Sequence, residues 1–293
     1  MSAADPLRPR RSALYLPASN TRAIEKARGL ACDVVILDLE DAVGPDEKPQ
    51  ARAQAVAAAQ AGGFGGRELV IRVNALDTPW GRDDLAAVAG AGVQGVLVPK
   101  VSGPQDLAAY AEALGGGARL WAMIETCAAI LRLDALGAAS AARGVAVWAI
   151  GGNDLAKEMR ARLTPGREAL QPALALALTA ARAHGVAILD GVFNEIADAA
   201  GFEAQCREGA ALGFDGKTLI HPSQIESANR AFSPDPAEVA WARTVVAAFA
   251  APEMAGKGVM KVDGRMVERL HLAEAQRLIA VAEAISAREA AGG

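Results

Sequence analysis

The chain has 293 residues and a formal net charge of −4; 52% of its residues are hydrophobic and 22% are charged. This balance excludes an intrinsically disordered protein, because it supplies enough apolar surface to form a core. The sequence has no long basic run, which argues against nucleic-acid binding. It also has no stretch of the roughly 18 apolar residues needed to cross a membrane. We therefore expect a soluble, cytoplasmic protein with neither nucleic acid nor membrane as a partner.

The three cysteines do not form a CxxC pair. They are expected to be reduced, mostly buried thiols and not disulfide partners or zinc ligands. They are Cys32, Cys127 and Cys206.

Short apolar runs alternate with alanine-rich stretches along most of the chain. Near-continuous apolar runs are typical of strands buried on both faces of a parallel sheet. Eight such runs alternating with helices predict a TIM (β/α)8 barrel. A doubly wound open sheet is the alternative. The predicted strands are 12–16, 33–39, 68–73, 95–98, 120–124, 145–150, 186–189 and 216–220, and the clearest predicted helices are 21–30, 102–114, 164–184 and 195–212.

The pattern changes near residue 234, where the strand runs stop. Residues 236–250 and 266–289 are predicted to be helical. We therefore expect a catalytic barrel over residues 11–233. An appended C-terminal helical segment over 234–293 would cap or complete the site.

Polar side chains follow the predicted strands at their carboxyl ends. Active sites of TIM barrels lie at this end. Carboxylates gathered there would repel one another unless a cation neutralised them, and Mg²⁺ prefers such oxygen ligands. Glu125 and Asp154 are predicted to be the metal ligands, with Mn²⁺ as an alternative to Mg²⁺. Asp38, Glu40 and Asp41 would orient metal-bound water, and Glu40 and Asp41 are also candidate catalytic carboxylates.

Each of these residues also has a simpler structural interpretation. Asp38 could cap the turn that follows it. Arg72 could be an ion-pair partner of Glu40 or Asp41. His221, before a proline, is expected to be structural. Only the joint placement at successive strand ends favours a site.

Seven motifs, in this order along the chain, resemble the citrate lyase beta-subunit-like group of CoA-ester lyases, within the HpcH/HpaI aldolase superfamily. The motifs are RSALYLPASNTRAIEKA, DVVILDLEDAV, IRVNALDTPWG, VLVPKV, MIET, IGGNDLA and GFDGKTLIHPSQI.

The resemblance implies a homotrimer or hexamer that binds Mg²⁺ and cleaves a small 3-hydroxyacyl-CoA into an acyl-CoA and a 2-oxo acid. Arg72 would stabilise the developing negative charge. The CoA enters as part of the substrate. Substrate-binding residues would be Arg72, Lys100, Gly152 and Asn153, and CoA-binding residues would be Tyr15, Arg22 and Lys26.

A C-terminal carboxylate is implied to move the proton. Lyase relatives usually have an aspartate there, donated by a neighbouring subunit, whereas this chain has Glu268. The side chain is one methylene longer, and Asp263 is a nearby alternative. The same site could also serve a malyl-CoA thioesterase, a citrate lyase beta subunit or a metal-dependent pyruvate aldolase. The departure at Glu268 supports a further alternative, a non-catalytic CoA-ester-binding protein.

Overall fold

The computed structural model describes residues 7–251 and 258–291. These residues divide into two compact units, one of residues 10–232 and one of residues 7–9 and 233–291. No described helix is both long and apolar enough to cross a bilayer.

The first unit is a closed barrel of eight parallel strands, paired in sequence order and closed by β8 against β1. The predicted (β/α)8 barrel is therefore confirmed over the open sheet. Its strands are β1 (Ser12–Pro17), β2 (Val34–Asp38), β3 (Glu68–Arg72), β4 (Gly95–Val98), β5 (Arg119–Ile124), β6 (Val147–Ile150), β7 (Ala187–Asp190) and β8 (Gly216–Leu219).

Helices and 3-10 turns connect the strands of the barrel. The helices are α1 (Thr21–Ala27), α2 (Lys48–Ala61), α3 (Gly81–Val88), α4 (Pro104–Leu114), α5 (Cys127–Ile130), α6 (Leu133–Arg143), α7 (Gly152–Met159), α8 (Gln171–Ala183), α9 (Ala199–Leu212) and α10 (Ile225–Ala231), and the 3-10 turns are Pro45–Glu47 and Pro222–Gln224.

Alternation along each strand separates two buried layers. Ile36, Val70 and Met123 belong to the cluster inside the barrel. Residues of the opposite parity pack among the helices. Asp38, Arg72 and Glu125 each lie two residues beyond one of these interior residues. The strand period therefore directs all three toward the barrel mouth.

Two predicted helices begin later than expected. The helix predicted from residue 164 begins at Gln171, because Pro165 and Gly166 favour a turn and Arg167 has a positive φ of 51°. The helix predicted from residue 195 begins at Ala199, where Asp198 accepts a hydrogen bond from the amide of Gly201 and caps the first turn.

The second unit contains α11 (Pro236–Ala250), β9 (Val259–Val262), β10 (Arg265–Glu268) and α12 (Arg269–Ala291). The antiparallel hairpin of β9 and β10 was not predicted, and the helix expected from residue 266 begins only at Arg269. Asp263 and Gly264, with φ of 45° and 82°, form the two-residue turn. Both residues tolerate positive φ, which a tight hairpin requires.

Candidate functional site

A buried ion pair joins the ends of β2 and β3. Asp38 and Arg72 are register partners. The Nε and Nη2 atoms of Arg72 donate to the two carboxylate oxygens of Asp38 at 2.7 and 2.6 Å. The guanidinium lies over the Tyr15 ring, 4.9 Å from its centroid. The ring and the fork geometry together fix the Arg72 side chain at the mouth of the barrel.

Asp38 also organises the loop after β2. Its two carboxylate oxygens accept hydrogen bonds from the amides of Glu40 and Ala42 at 2.9 and 3.1 Å. The turn-capping interpretation of Asp38 agrees with these contacts, and its role in orienting metal-bound water stays a prediction. One carboxylate fixes both the loop and Arg72.

Glu40 lies beside the same guanidinium. Its Oε2 is 2.7 Å from Nη1 of Arg72, although the pair lacks hydrogen-bond alignment. Burial raises the pKa of Glu40 to about 8, and this effect outweighs the opposing charge of Arg72. Asp41 is exposed, with Oδ2 3.5 Å from Nη1. Glu40 is therefore a predicted catalytic carboxylate that is buried and has a pKa raised to about 8.

We expect Glu40 to make the metal-free protein less stable as the pH rises. Between pH 4.5 and about 8, the folded protein keeps a proton on Glu40. In the unfolded chain this glutamate has a pKa of 4.5 and has already released the proton. This stabilisation is complete below pH 4.5 and is lost as the pH rises to about 8. Glu40→Gln should remove this decline in the free energy of unfolding, which is on the order of a few kcal/mol. Urea unfolding in EDTA, at pH 5 and at pH 8.5, measures the free energy of unfolding of both proteins.

Glu112→Gln, which changes an exposed carboxylate on α4, is the control and should keep the wild-type slope. Parallel pH profiles for wild type and Glu40→Gln would contradict the raised pKa.

The second half of the site joins β4, β5 and α7 through Lys100. The Lys100 amide donates to Oε1 of Glu125 at 2.7 Å. The Lys100 ammonium lies 2.5 Å from Oδ2 of Asp154 and 3.5 Å from Oε1 of Glu125. Burial raises the pKa of the Glu125 carboxyl, and the charge of Lys100 opposes this effect. Both predicted metal ligands therefore contact one cation.

The chemistry of this pair fits a divalent cation. Oε2 of Glu125 is buried and has no hydrogen-bond partner among the described residues. A Cβ at Gly151 would collide with the Glu125 carboxylate, so only glycine leaves room there. The Lys100 ammonium already places a positive charge between the two carboxylates. No group of three His, Cys, Asp or Glu side chains suited to a metal occurs in the described residues. Mg²⁺ is commonly held by one or two carboxylates with water or substrate.

The start of α7 brings Gly152 and Asn153 next to Asp154. The side chains of Asn153 and Asn194 exchange two hydrogen bonds, at 2.8 and 3.2 Å. This contact fixes Asn153 from the loop after β7. The substrate-binding roles of Gly152 and Asn153 stay predictions.

The predicted CoA-binding residues lie in two different settings. Arg22 and Lys26 are exposed on α1, directly after β1. Tyr15 lies inside the barrel, where its hydroxyl donates to Sδ of Met123 at 3.4 Å. This position supports a role in orienting Arg72. The CoA contacts of all three residues stay predictions.

Glu268 ends β10 in the second unit and is exposed. Its amide donates to Nδ1 of His271 at 2.9 Å. Asp263 occupies the turn of the hairpin. Its positive φ gives it a conformational role there.

Two further polar residues near strand ends make structural contacts. Asp190 is fully buried in ion pairs with Lys217 and Arg167, at 2.7 and 2.6 Å. These cations lower its pKa and outweigh the effect of burial. His221 accepts from the Ser223 amide and caps the second 3-10 turn. The structural interpretation of His221 agrees with this contact.

The sequence did not reveal the residues that support the loops. The Lys48 ammonium donates to the carbonyls of Leu39 and Glu40, both at 2.8 Å. Asn74 donates to the Leu39 carbonyl at 2.9 Å. A lysine or asparagine in a connection has no distinctive spacing. Gly151 follows the sixth predicted strand, but the steric need for a glycine there could not be recognised from the sequence. The Asn194 contact could not be recognised either, because both depend on neighbours distant in sequence.

Comparisons with known proteins find a matching family profile and similar chains. The HpcH/HpaI aldolase/citrate lyase family profile matches residues 11–222. The chain is 49% identical over 279 residues to a (3S)-malyl-CoA thioesterase of Cereibacter sphaeroides strain KD131, covering 95% of this chain and 96% of that protein. It is 35% identical over 312 residues to an L-malyl-CoA/beta-methylmalyl-CoA lyase of C. sphaeroides strain ATCC 17025, covering 96% and 97%.

Several similar solved structures carry ligands. Protein CitE of Mycobacterium tuberculosis, in complex with magnesium, acetoacetate and coenzyme A, has a TM-score of 0.74 and 30% identity to this chain. The match covers 93% of this chain and 97% of CitE. The barrel, the motifs and these matches together show that the chain belongs to the HpcH/HpaI aldolase/citrate lyase family.

Proposed function

We propose that this protein is a Mg²⁺-dependent thioesterase that hydrolyses a small 3-hydroxyacyl-CoA of the malyl-CoA type. The observation that carries the proposal is the 49% identity to a (3S)-malyl-CoA thioesterase over 95% of the chain. The paired carboxylates at the barrel mouth and the fixed arginine beside them support it.

The metal would be held by Glu125 and Asp154. When bound, it supplies Lewis acidity toward the oxygens of a hydroxy acid. Glu125 follows β5 directly and Asp154 lies on α7, whereas Arg72 ends β3. An anionic substrate could therefore be held from two sides of the mouth.

Arg72 would bind the oxygen on which negative charge develops. Its two bonds to Asp38 and its position over Tyr15 hold the guanidinium before substrate arrives. A donor fixed in advance does not have to reorganise during the reaction, and stabilises the transition state more than a mobile one.

Glu40 would move the proton. In the hydrolysis, water adds to the thioester carbonyl carbon, the carbon–sulfur bond breaks, and the thiolate leaves. Ionised Glu40 would take the proton of the attacking water and return it to the sulfur. Its raised pKa, about 8, lies near neutral pH, which suits a group that must both accept and give a proton.

Carbon–carbon cleavage is the second candidate. The 35% identity to a malyl-CoA lyase favours it, and the same metal and arginine would serve it. Here Glu268 would act as the proton-moving carboxylate, supplied by a neighbouring subunit of the predicted homotrimer or hexamer. Its extra methylene, relative to the usual aspartate, favours hydrolysis, because misplacing a catalytic group by about an ångström can cost ~10²-fold.

The two reactions give different products from one substrate. With (3S)-malyl-CoA and Mg²⁺, we expect free CoA and malate, measured by liquid chromatography and mass spectrometry. Acetyl-CoA and glyoxylate would instead show a lyase. If neither pair of products formed although the CoA ester bound, this result would favour the non-catalytic alternative.

Glu268→Asp refines this assay. If the length of Glu268 suppresses cleavage, the variant should increase the share of acetyl-CoA. Asp263→Asn, which changes the alternative carboxylate, is the matched control and should leave the product ratio unchanged.

A further inference from the structure

We propose that Lys100 is an internal counter-cation of the metal site. Its ammonium occupies the position between Glu125 and Asp154, and must withdraw when a divalent cation binds. This inference rests on the proposed metal-dependent function, and adds a competition between the protein's own cation and the metal.

The position of the ammonium carries the first step. It lies 2.5 Å from Oδ2 of Asp154 and 3.5 Å from Oε1 of Glu125. A metal bound by the same two carboxylates would lie within a few ångströms of this nitrogen. Two cations at such separation repel each other strongly in a partly desolvated site. The two cations therefore compete for the negative charge of the same two carboxylates.

The backbone of Lys100 cannot move away as easily as its side chain. The Lys100 amide donates to Oε1 of Glu125 at 2.7 Å, and the preceding carbonyl, that of Pro99, accepts from the Tyr110 hydroxyl at 3.1 Å. Lys100 has a φ of 53°, an uncommon conformation for a residue with a Cβ. Neighbouring contacts must therefore hold the backbone in place.

The side chain of Lys100, by contrast, can move toward solvent. It is 39% exposed, and its four-carbon stem is flexible. The ammonium can therefore turn toward solvent while the amide keeps its bond to Glu125. In the metal-free protein the same ammonium reduces repulsion between two carboxylates that belong to different elements, β5 and α7. Lys100 would thus hold the ligand pair together and weaken metal binding at the same time.

Calorimetric titration with Mg²⁺ alone, at fixed pH and without substrate, tests the competition. Lys100→Met keeps most of the stem and removes the charge. It should bind Mg²⁺ about tenfold more tightly than wild type, the scale of one charge-assisted hydrogen bond. Lys157→Met, at an exposed lysine on the same helix as Asp154, changes the net charge equally and should leave the affinity unchanged.

Thermal unfolding gives a second measurement. In EDTA, Lys100→Met should unfold at a lower temperature than wild type, because its two carboxylates lose their cation. Added Mg²⁺ should raise its unfolding temperature more than that of wild type. Equal or weaker Mg²⁺ binding by Lys100→Met would overturn the proposal.

The titration contains no thioester, so its result does not depend on which reaction is catalysed. An absent thioesterase activity appears only in the product assay. If neither wild type nor Lys100→Met bound Mg²⁺, the inference about Lys100 would fall together with the ligand assignment.

Discussion

Glu125→Gln and Asp154→Asn should each reduce the metal-dependent turnover by roughly 10³-fold. Each replaces a charged oxygen ligand by a neutral amide, and removing several kcal/mol of transition-state stabilisation lowers a rate by this factor. Glu125 has the larger expected effect, because it is fully buried and its free Oε2 points to no other partner among the described residues. The measurement is kcat/KM as a function of Mg²⁺ concentration, with circular dichroism to confirm folding.

Asp134→Asn is the control for these variants. Asp134 is an almost fully exposed carboxylate on α6, paired with His184. The control should retain wild-type activity. Full activity in both Glu125→Gln and Asp154→Asn would show that the ligand assignment is wrong.

Arg72→Lys is expected to lower kcat/KM by about 10²- to 10³-fold, the range seen when one donor to a developing oxyanion is lost. Lysine keeps the charge but lacks the planar fork that makes two bonds to Asp38. Without these bonds the cation is no longer held over Tyr15. Steady-state kinetics with (3S)-malyl-CoA at saturating Mg²⁺ measures the loss.

The structure also offers a matched control at the opposite end of the barrel. The Nε and Nη2 atoms of Arg11 donate two buried hydrogen bonds to the carboxylate of Asp33, at 2.9 and 3.0 Å, in the same arrangement. Arg11→Lys should lower the unfolding temperature to a similar degree and leave the kinetic constants unchanged. If both variants lost activity equally, the effect of Arg72→Lys would come from general destabilisation and not from substrate binding.

Stability can be separated further from catalysis. Arg72→Met alone leaves the buried Asp38 unpaired and should cost about 3–5 kcal/mol. Adding Asp38→Asn removes the remaining charge and should restore part of this stability. Activity should stay low in the double variant, because no guanidinium is present.

The barrel could be predicted because its strands are buried on both faces. Each strand is therefore a nearly continuous apolar run that stands out from its flanking residues. The same regularity made Asp38, Arg72 and Glu125 recognisable, since they follow these runs directly. The ion pairs of Arg72 with Glu40 and Asp41 agree with the simpler structural interpretation of Arg72. The pairs of Arg72 with Asp38 and of Lys100 with Glu125 and Asp154 could not be predicted, because the choice between a metal ligand and a salt-bridge partner depends on distances.

The sequence contains a turn signal for the hairpin of β9 and β10, but the residues on either side of the turn do not have a strand pattern. Asp263-Gly264 is a strong hairpin turn sequence. The strands around it are short, and their side chains are mostly exposed. They therefore lack the apolar runs that marked the barrel strands. The later start of α8 has a similar origin, because the long alanine-rich pattern around Pro165 and Gly166 gives a stronger helix signal than the turn signal of these two residues.

The strands of the barrel are not paired equally. β2 pairs with both β1 and β3 at five positions, whereas β7 and β8 pair only at Leu189–Gly216 and Asp190–Lys217. Side chains supplement this short ladder. The Lys217 ammonium donates to the Asp190 carboxylate and to the Gly191 carbonyl, and the Thr218 hydroxyl donates to the Asp190 carbonyl. The wall of β7 and β8 is therefore held together by polar contacts, whereas the wall that carries Asp38 and Arg72 is held together by a full backbone ladder.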